Sequence, residues 1–254
     1  RKFASWLGMA GMVAWALGGA TAPSAAEPAG GQTAPLVSSA LPPGALDTSL
    51  ANEVRAAVNR GLDWLVAQQS ESGSWSDTNF PALTALALQA VVHGDHPRKK
   101  EVVDKAVKFL LSCVQKDGGI YRALPGPDGG GTKGGGLSNY NTAICMMALH
   151  DVGDPALNKV IQDARKFVAG AQYMGDDMYK GGFGYDRDTK RAYTDLLNTY
   201  YSAEAMKTTA SVEDTRPPTE KKVDIDWNET VKFIEKMQNK PESGDQAGGF
   251  FYNP

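Results

Sequence analysis

The stretch Asp63–Trp75, DWLVAQQSESGSW, decides the fold. It joins the end of an apolar-periodic segment to a glutamine pair, a short polar run and then Gly73-Ser74-Trp75. Taken alone it is a loop with a tryptophan in it. The arrangement returns three times. Apolar-periodic segments end at Gln115, Gln172 and Gln238, and each is followed by glycine and an aromatic: Gly118-Gly119 with Tyr121, Gly181-Gly182-Phe183, and Gly248-Gly249-Phe250. Trp64, Leu110, Phe167 and Phe233 each lie five residues before their glutamine, so the segments keep register while the loops vary in length. Recurrence of this kind marks an internal repeat of one supersecondary unit.

Each glutamine closes an amphipathic segment. In LANEVRAAVNRGLDWLVAQQ, from Leu50, the apolar residues Leu50, Val54, Ala57, Val58, Leu62 and Leu65 recur at helical spacing, opposite Glu53, Arg55 and Arg60. That spacing predicts a helix with one wet face. RKKEVVDKAVKFLLSCVQ, PALNKVIQDARKFVAGAQ and DWNETVKFIEKMQ have the same character. Between them lie segments of another kind. PALTALALQAVVH, from Pro81, is apolar all round and opens on a proline suited to a first helical turn. It is too short to cross a bilayer. SNYNTAICMMALHDVG and TDLLNTYYSAEAM take its place in the next two units. A helix without a polar face must be covered on every side. Stacked hairpins achieve this with the apolar helices inside and the amphipathic helices outside. The expected fold is therefore all-α, an α/α toroid of helical-hairpin repeats over residues 47–254, with no segment long enough to build a sheet.

The Gln–Gly–aromatic element resembles the QW-type repeat of the prenyltransferase/squalene–terpene cyclase superfamily. GGFGYDRDTKRAYTDLLNTYYSAEAM and SNYNTAICMMAL are similar to repeats of its bacterial exported members. The resemblance covers about residues 50–254. It implies a toroid whose central apolar cavity holds an isoprenoid chain. It also implies a structural role, tying outer helices together, for Gln69, Trp75, Gln115, Tyr121, Gln172, Phe183, Gln238 and Phe250. About three and a half repeats precede Pro254, so the expected barrel is incomplete here and truncated at the C-terminus.

Two inner segments open with matching polar residues, Ser138-x-x-Asn141-Thr142 and Asp195-x-x-Asn198-Thr199. In one reading Ser138 and Asp195 are N-caps and the Asn/Thr pair tightens the first turn. In the other, these helix starts line a cavity mouth and their N–H groups hold an anion such as a diphosphate. The aromatics Tyr121, Tyr140, Phe183, Tyr185 and Tyr200 are suited to lining an apolar cavity or facing a cation. The candidate ligand residues are therefore Tyr140, Asn141, Phe183, Tyr185, Asp195, Asn198 and Tyr200.

Catalytic signatures of the resembling enzymes are not met. The D-x-D-D acid run of the cyclases is reduced to Asp224 and Asp226 in VDIDWN, just before an outer helix that Asp226 is placed to cap. The zinc set of the transferases needs D-x-C and a histidine, but no D-x-C occurs and Asn198 stands at the histidine position. His93, His96 and His150 fall at helix ends or connections. No metal and no cofactor is expected.

A net charge of −3 without a Lys/Arg block argues against nucleic acid as a partner. Residues 1–26 read as an export signal: basic Arg1-Lys2, an apolar run from Phe3 to Ala20, and small residues at Ser24-Ala25-Ala26 before the cleavage point. A retained anchor is the competing reading. Residues 27–46 are an Ala/Pro/Gly-rich linker. Cys113 and Cys145 lie inside helix-like apolar runs and read as buried thiols rather than a disulfide. The chain is thus expected to be exported, periplasmic or secreted, without a membrane span once the signal is removed. The expected function is binding of an isoprenoid or other apolar ligand. The alternatives are a cyclase or prenyltransferase whose catalytic residues lie in further repeats, and a toroid scaffold for protein or polysaccharide.

Overall fold

The computed structural model describes residues 48–125, 131–133, 136–187 and 194–254. The predicted export signal and linker lie outside the described residues. The chain divides into two compact units, Arg1–Ala56 and Ala57–Pro254. The second unit contains all of the repeat region but the start of its first helix.

The described elements are mostly helical: α1 (Thr48–Gln68), α2 (Pro81–His93), α3 (Lys99–Leu111), α4 (Ser138–Val152), α5 (Asn158–Ala169), α6 (Leu196–Thr208) and α7 (Trp227–Met237). A short antiparallel ribbon, β1 (Ala123–Pro125) with β2 (Gly131–Lys133), decorates the loop between α3 and α4. Helices α2, α4 and α6 pack side by side, while α3 packs on α2 and α5 on α4. The all-round apolar pattern has the predicted consequence in α4, where every residue from Asn141 to Leu149 is buried. The amphipathic helices bury one stripe each: Val102, Ala106, Phe109 and Leu110 in α3, and Ile161, Ala164, Phe167 and Val168 in α5.

Helix α1 departs from the pattern. Leu62 and Val66 are buried, but Leu50, Val54 and Val58 remain 40–47% exposed, and Trp64 is 61% exposed where Leu110, Phe167 and Phe233 are buried. The reason lies in the packing order. Each later outer helix rests on the inner helix before it, and among the described residues no inner helix precedes α1.

The repeated element is a clasp of three parts. The first is a glycine with positive φ, at Gly73 (88°), Gly118 (87°), Gly181 (90°) and Gly248 (81°). The second is the glutamine. Gln69 Nε2 donates to the Gly73 carbonyl at 3.1 Å and to the Val102 carbonyl of the next outer helix at 2.9 Å. Gln172 does more: its amide donates to the carbonyls of Gly181 and Asp226 and to Thr230 Oγ1, and its Oε1 accepts the Asp226 N–H. Gln115 and Gln238 hold only their own loops.

The third part was not apparent from the spacing. The residue two after each of the first three glycines donates its backbone N–H to a threonine in the first turns of the following inner helix: Trp75 to Thr84 at 3.1 Å, Ile120 to Thr142 at 2.9 Å, and Phe183 to Thr199 at 3.0 Å. The structural counterpart of Trp75 and Phe183 in the second unit is therefore Ile120, and the assignment of Tyr121 to that place is off by one residue. Tyr121 is nonetheless buried, with its ring 5.8 Å from that of Phe167.

Thr142 and Thr199 also donate to the carbonyls of Ser138 and Asp195, so each hydroxyl links a loop to a helix start. Thr142→Val keeps the shape and removes both bonds in a fully buried setting. Leaving the Ile120 N–H without a partner is expected to cost about 1–3 kcal/mol. Chemical denaturation of this variant beside the conservative Thr142→Ser checks it: the serine should retain most of the stability.

Candidate ligand-binding patch

The seven predicted ligand residues separate into two groups. Asn141, Phe183, Asp195 and Asn198 are buried. Asn141 Oδ1, the Asp195 carboxylate and Asn198 Nδ2 serve the fold, while Asn141 Nδ2 and Asn198 Oδ1 are buried without a hydrogen-bond partner. Asn141 Oδ1 accepts the Ala82 N–H at 3.2 Å, so the second repeat's asparagine caps the first repeat's inner helix. Asp195 caps α6, accepting from the Asn198 backbone at 2.8 Å and its side-chain amide at 2.7 Å. Burial raises the Asp195 carboxyl, opposed by these hydrogen bonds from Asn198. Phe183 is fully enclosed in the core. All four are enclosed within the protein rather than open to solvent.

Ser138, the other expected cap, instead donates to Asp186 Oδ1 at 2.6 Å. The start of α4 is closed by the Tyr185 carbonyl, which accepts from the Asn139 and Tyr140 N–H groups. At α6 the Leu196 N–H goes to the Tyr252 carbonyl at 2.8 Å. Because these first-turn N–H groups are already donated within the protein, they offer no anion cradle. This removes the diphosphate reading of the inner-helix starts.

Tyr140, Tyr185 and Tyr200 do come together, with two tyrosines that the spacing did not single out. Tyr140 meets Tyr185 at 5.8 Å between ring centroids and Tyr201 at 5.5 Å, edge to face. Tyr200 meets Tyr201 at 5.3 Å. The Tyr185 hydroxyl lies 2.8 Å from that of Tyr252. A signal for Tyr252 was present: Tyr185 and Tyr252 each follow a positive-φ glycine, Gly181 or Gly248, by four residues. Tyr201 adjoins Tyr200 in the sequence.

The patch is partly open. All five tyrosines are intermediate or exposed, and Leu83, Leu86 and Leu197, at the same end of α2 and α6, are each 37–40% exposed. Burial raises the Tyr200 hydroxyl well above the ordinary phenol value, reinforced by its hydrogen bond to Glu204. Burial likewise raises Tyr140, with Tyr201 and Tyr185 adding to it. These phenols stay neutral through the physiological range and serve as hydrogen-bonding, largely apolar surface rather than as bases.

Elsewhere, two of the three histidines go to separate carboxylates: His93 lies 3.2 Å from Asp151, and His96 3.3 Å from Asp63. Among the described residues no cluster of three His, Cys, Asp or Glu side chains is placed to hold a metal ion. Asp226 caps α7 by accepting the Glu229 N–H at 3.0 Å. Cys113 and Cys145 are free and buried, and burial pushes both thiols up. Among the described residues no helix is long and apolar enough to cross a membrane. Comparison with known proteins finds no matching protein-family model and no matching curated sequence.

Proposed function

We propose that this chain is an exported repeat protein of the prenyltransferase/squalene cyclase type, with its hairpins arranged as an α/α toroid, and that it binds an isoprenoid or other apolar chain. The observation that carries this reading is the tyrosine patch: Tyr140, Tyr185, Tyr200, Tyr201 and Tyr252 converge at one end of α4 and α6, partly open, with exposed leucines at the same end of the inner helices. Alternating inner and outer helices and the fourfold clasp support the arrangement. The ligand held here is a neutral one. The helix starts are closed to anions, and burial keeps the Tyr140 and Tyr200 hydroxyls protonated. An alcohol such as farnesol fits this chemistry better than its diphosphate.

Farnesol titrated into the purified protein, followed by native mass spectrometry and intrinsic fluorescence, tests the proposal. Tyr201→Ala is expected to weaken binding by about tenfold, the loss of roughly one to two kcal/mol of ring contact. Its melting temperature should move by only a few degrees. Absence of farnesol binding at about 100 μM would remove this reading, since that concentration corresponds to only about 5 kcal/mol of affinity.

A further inference from the structure

A cavity lies away from the tyrosines, where the α4–α5 turn meets the 3-10 turn Ala210–Thr215. Its volume is about 250 Å³. Leu149, Ile161 and Val212 give it an apolar floor, and all three are buried. His150, Asn158 and Ser211 line it with polar side chains. Among the described residues none of these three side chains makes a hydrogen bond or ion pair, and His150 Nδ1 is buried without a partner. Nothing in the protein therefore fixes the imidazole tautomer, and the ring is able to donate or accept. Asp154 is the one carboxylate of the lining, and it commits an oxygen to the Ala156 N–H at 2.9 Å.

The wall opposite is rigid. Gln162 Nε2 donates to the Val212 carbonyl and to Thr215 Oγ1, both at 3.0 Å, and Arg165 pairs with Glu213 from within the core. A preformed wall lowers the ordering cost of binding.

We propose that this cavity is a binding site for a single neutral polyhydroxylated ring, such as one pyranose unit. The size suits a small ligand, because pockets for drug-sized molecules begin at about 300 Å³. The chemistry matches on both sides: the apolar floor takes the C–H face of the ring, and three uncommitted donor–acceptor side chains meet its hydroxyls. A cation fits less well, since the one carboxylate is already engaged in capping the Pro155–Leu157 turn.

Saturation-transfer NMR with methyl β-D-glucopyranoside and methyl α-D-mannopyranoside, on the full chain, tests the site. Transfer to at least one glycoside is expected, with an affinity of about 1–10 mM for so small a ligand. Ser211→Trp, which fills the cavity from an exposed rim position, should weaken it by at least about tenfold. Asn158→Leu should weaken it as well. Tyr201→Ala should leave it unchanged, so failure here is distinct from failure at the tyrosine patch. Three results overturn the proposal: no transfer at about 20 mM of either glycoside, transfer equal in wild type and Ser211→Trp, or binding of tetramethylammonium in place of the glycosides.

Discussion

Arg165→Ala is expected to be among the most destabilising single substitutions in the chain, at about 3–5 kcal/mol. Arg165 is 1% exposed, although α5 is an outer, amphipathic helix. Its guanidinium makes four bonds: Nε to Glu213 at 3.0 Å, Nη1 to the Met206 carbonyl at 2.6 Å and to Thr209 at 2.7 Å, and Nη2 to the Val223 carbonyl at 2.9 Å. It thereby closes the C-terminal end of α6 and pins both the 3-10 turn after it and the chain that leads to α7. Alanine removes the charge and leaves Glu213 buried beside Arg216 alone. Glu213 keeps its two bonds to Arg216 and the Val223 N–H, so the cost falls on the lost attraction and on the orphaned Met206 and Val223 carbonyls. Arg165→Met, which keeps most of the volume, should therefore be nearly as harmful, whereas Arg165→Lys, which keeps a charge and donors, should recover part of the loss. Denaturant midpoints across this set decide the matter. A lysine variant no better than methionine would show that the fork geometry of the guanidinium, rather than the charge, dominates.

The same network sets an acid limit. Burial alone would raise the Glu213 carboxyl, but the Arg216 hydrogen bond, the Val223 N–H and the charges of Arg216 and Arg165 bring it below its ordinary value. A carboxyl lower in the folded than in the unfolded chain contributes stability above its unfolded value and loses it as pH falls through the folded one. Stability should therefore begin to fall near pH 4.5, the ordinary glutamate value, and decline further below it. Glu213→Gln should flatten that part of the profile while lowering stability at neutral pH.

Sequence reading succeeded where the relevant partners are local or repeated. The glutamine, the glycine and the apolar residue five positions before the glutamine recur four times, so the alternation of helices was legible without coordinates. It fell short where the partner is remote. Asn141 reads as a first-turn residue of its own helix, yet its carbonyl oxygen accepts a bond from Ala82, 59 residues away. Arg165 reads as part of a wet helix face, because its partner Glu213 lies 48 residues further on, in a segment with no periodicity. The tyrosine patch was half legible. Tyr140, Tyr185 and Tyr200 stand in the repeats, whereas Tyr252 reaches the patch only because the fourth loop folds back onto the start of α6.

The clasp glycines offer the sharpest comparison, since the same residue in the same conformation sits in two different surroundings. Gly181 has φ 90° and Gly248 has φ 81°, so a β-carbon at either pays the left-handed penalty of about 1–2 kcal/mol. At Gly181 that β-carbon would also overlap the backbone carbonyl of Glu229 in α7, well inside 3.0 Å, and backbone has little room to yield. At Gly248 it would meet nothing within 4 Å. Gly181→Ala is therefore expected to cost about 3–5 kcal/mol, conformational strain plus forced separation of α7 from the loop, and to lower the melting temperature by roughly 8–15 °C for a domain of this size. Gly248→Ala should cost only about 1–2 kcal/mol. Gly248→Asn should cost less still, because asparagine tolerates the left-handed region. Gly73 and Gly118 should follow Gly181, as the carbonyls of Lys105 and Asp163 stand in the way of their β-carbons. Thermal denaturation of Gly181→Ala and Gly248→Ala side by side measures the difference. Equal losses at the two sites would mean that φ alone requires the glycine; a large gap would mean that the motif keeps glycine so that the next outer helix can rest its backbone against the loop.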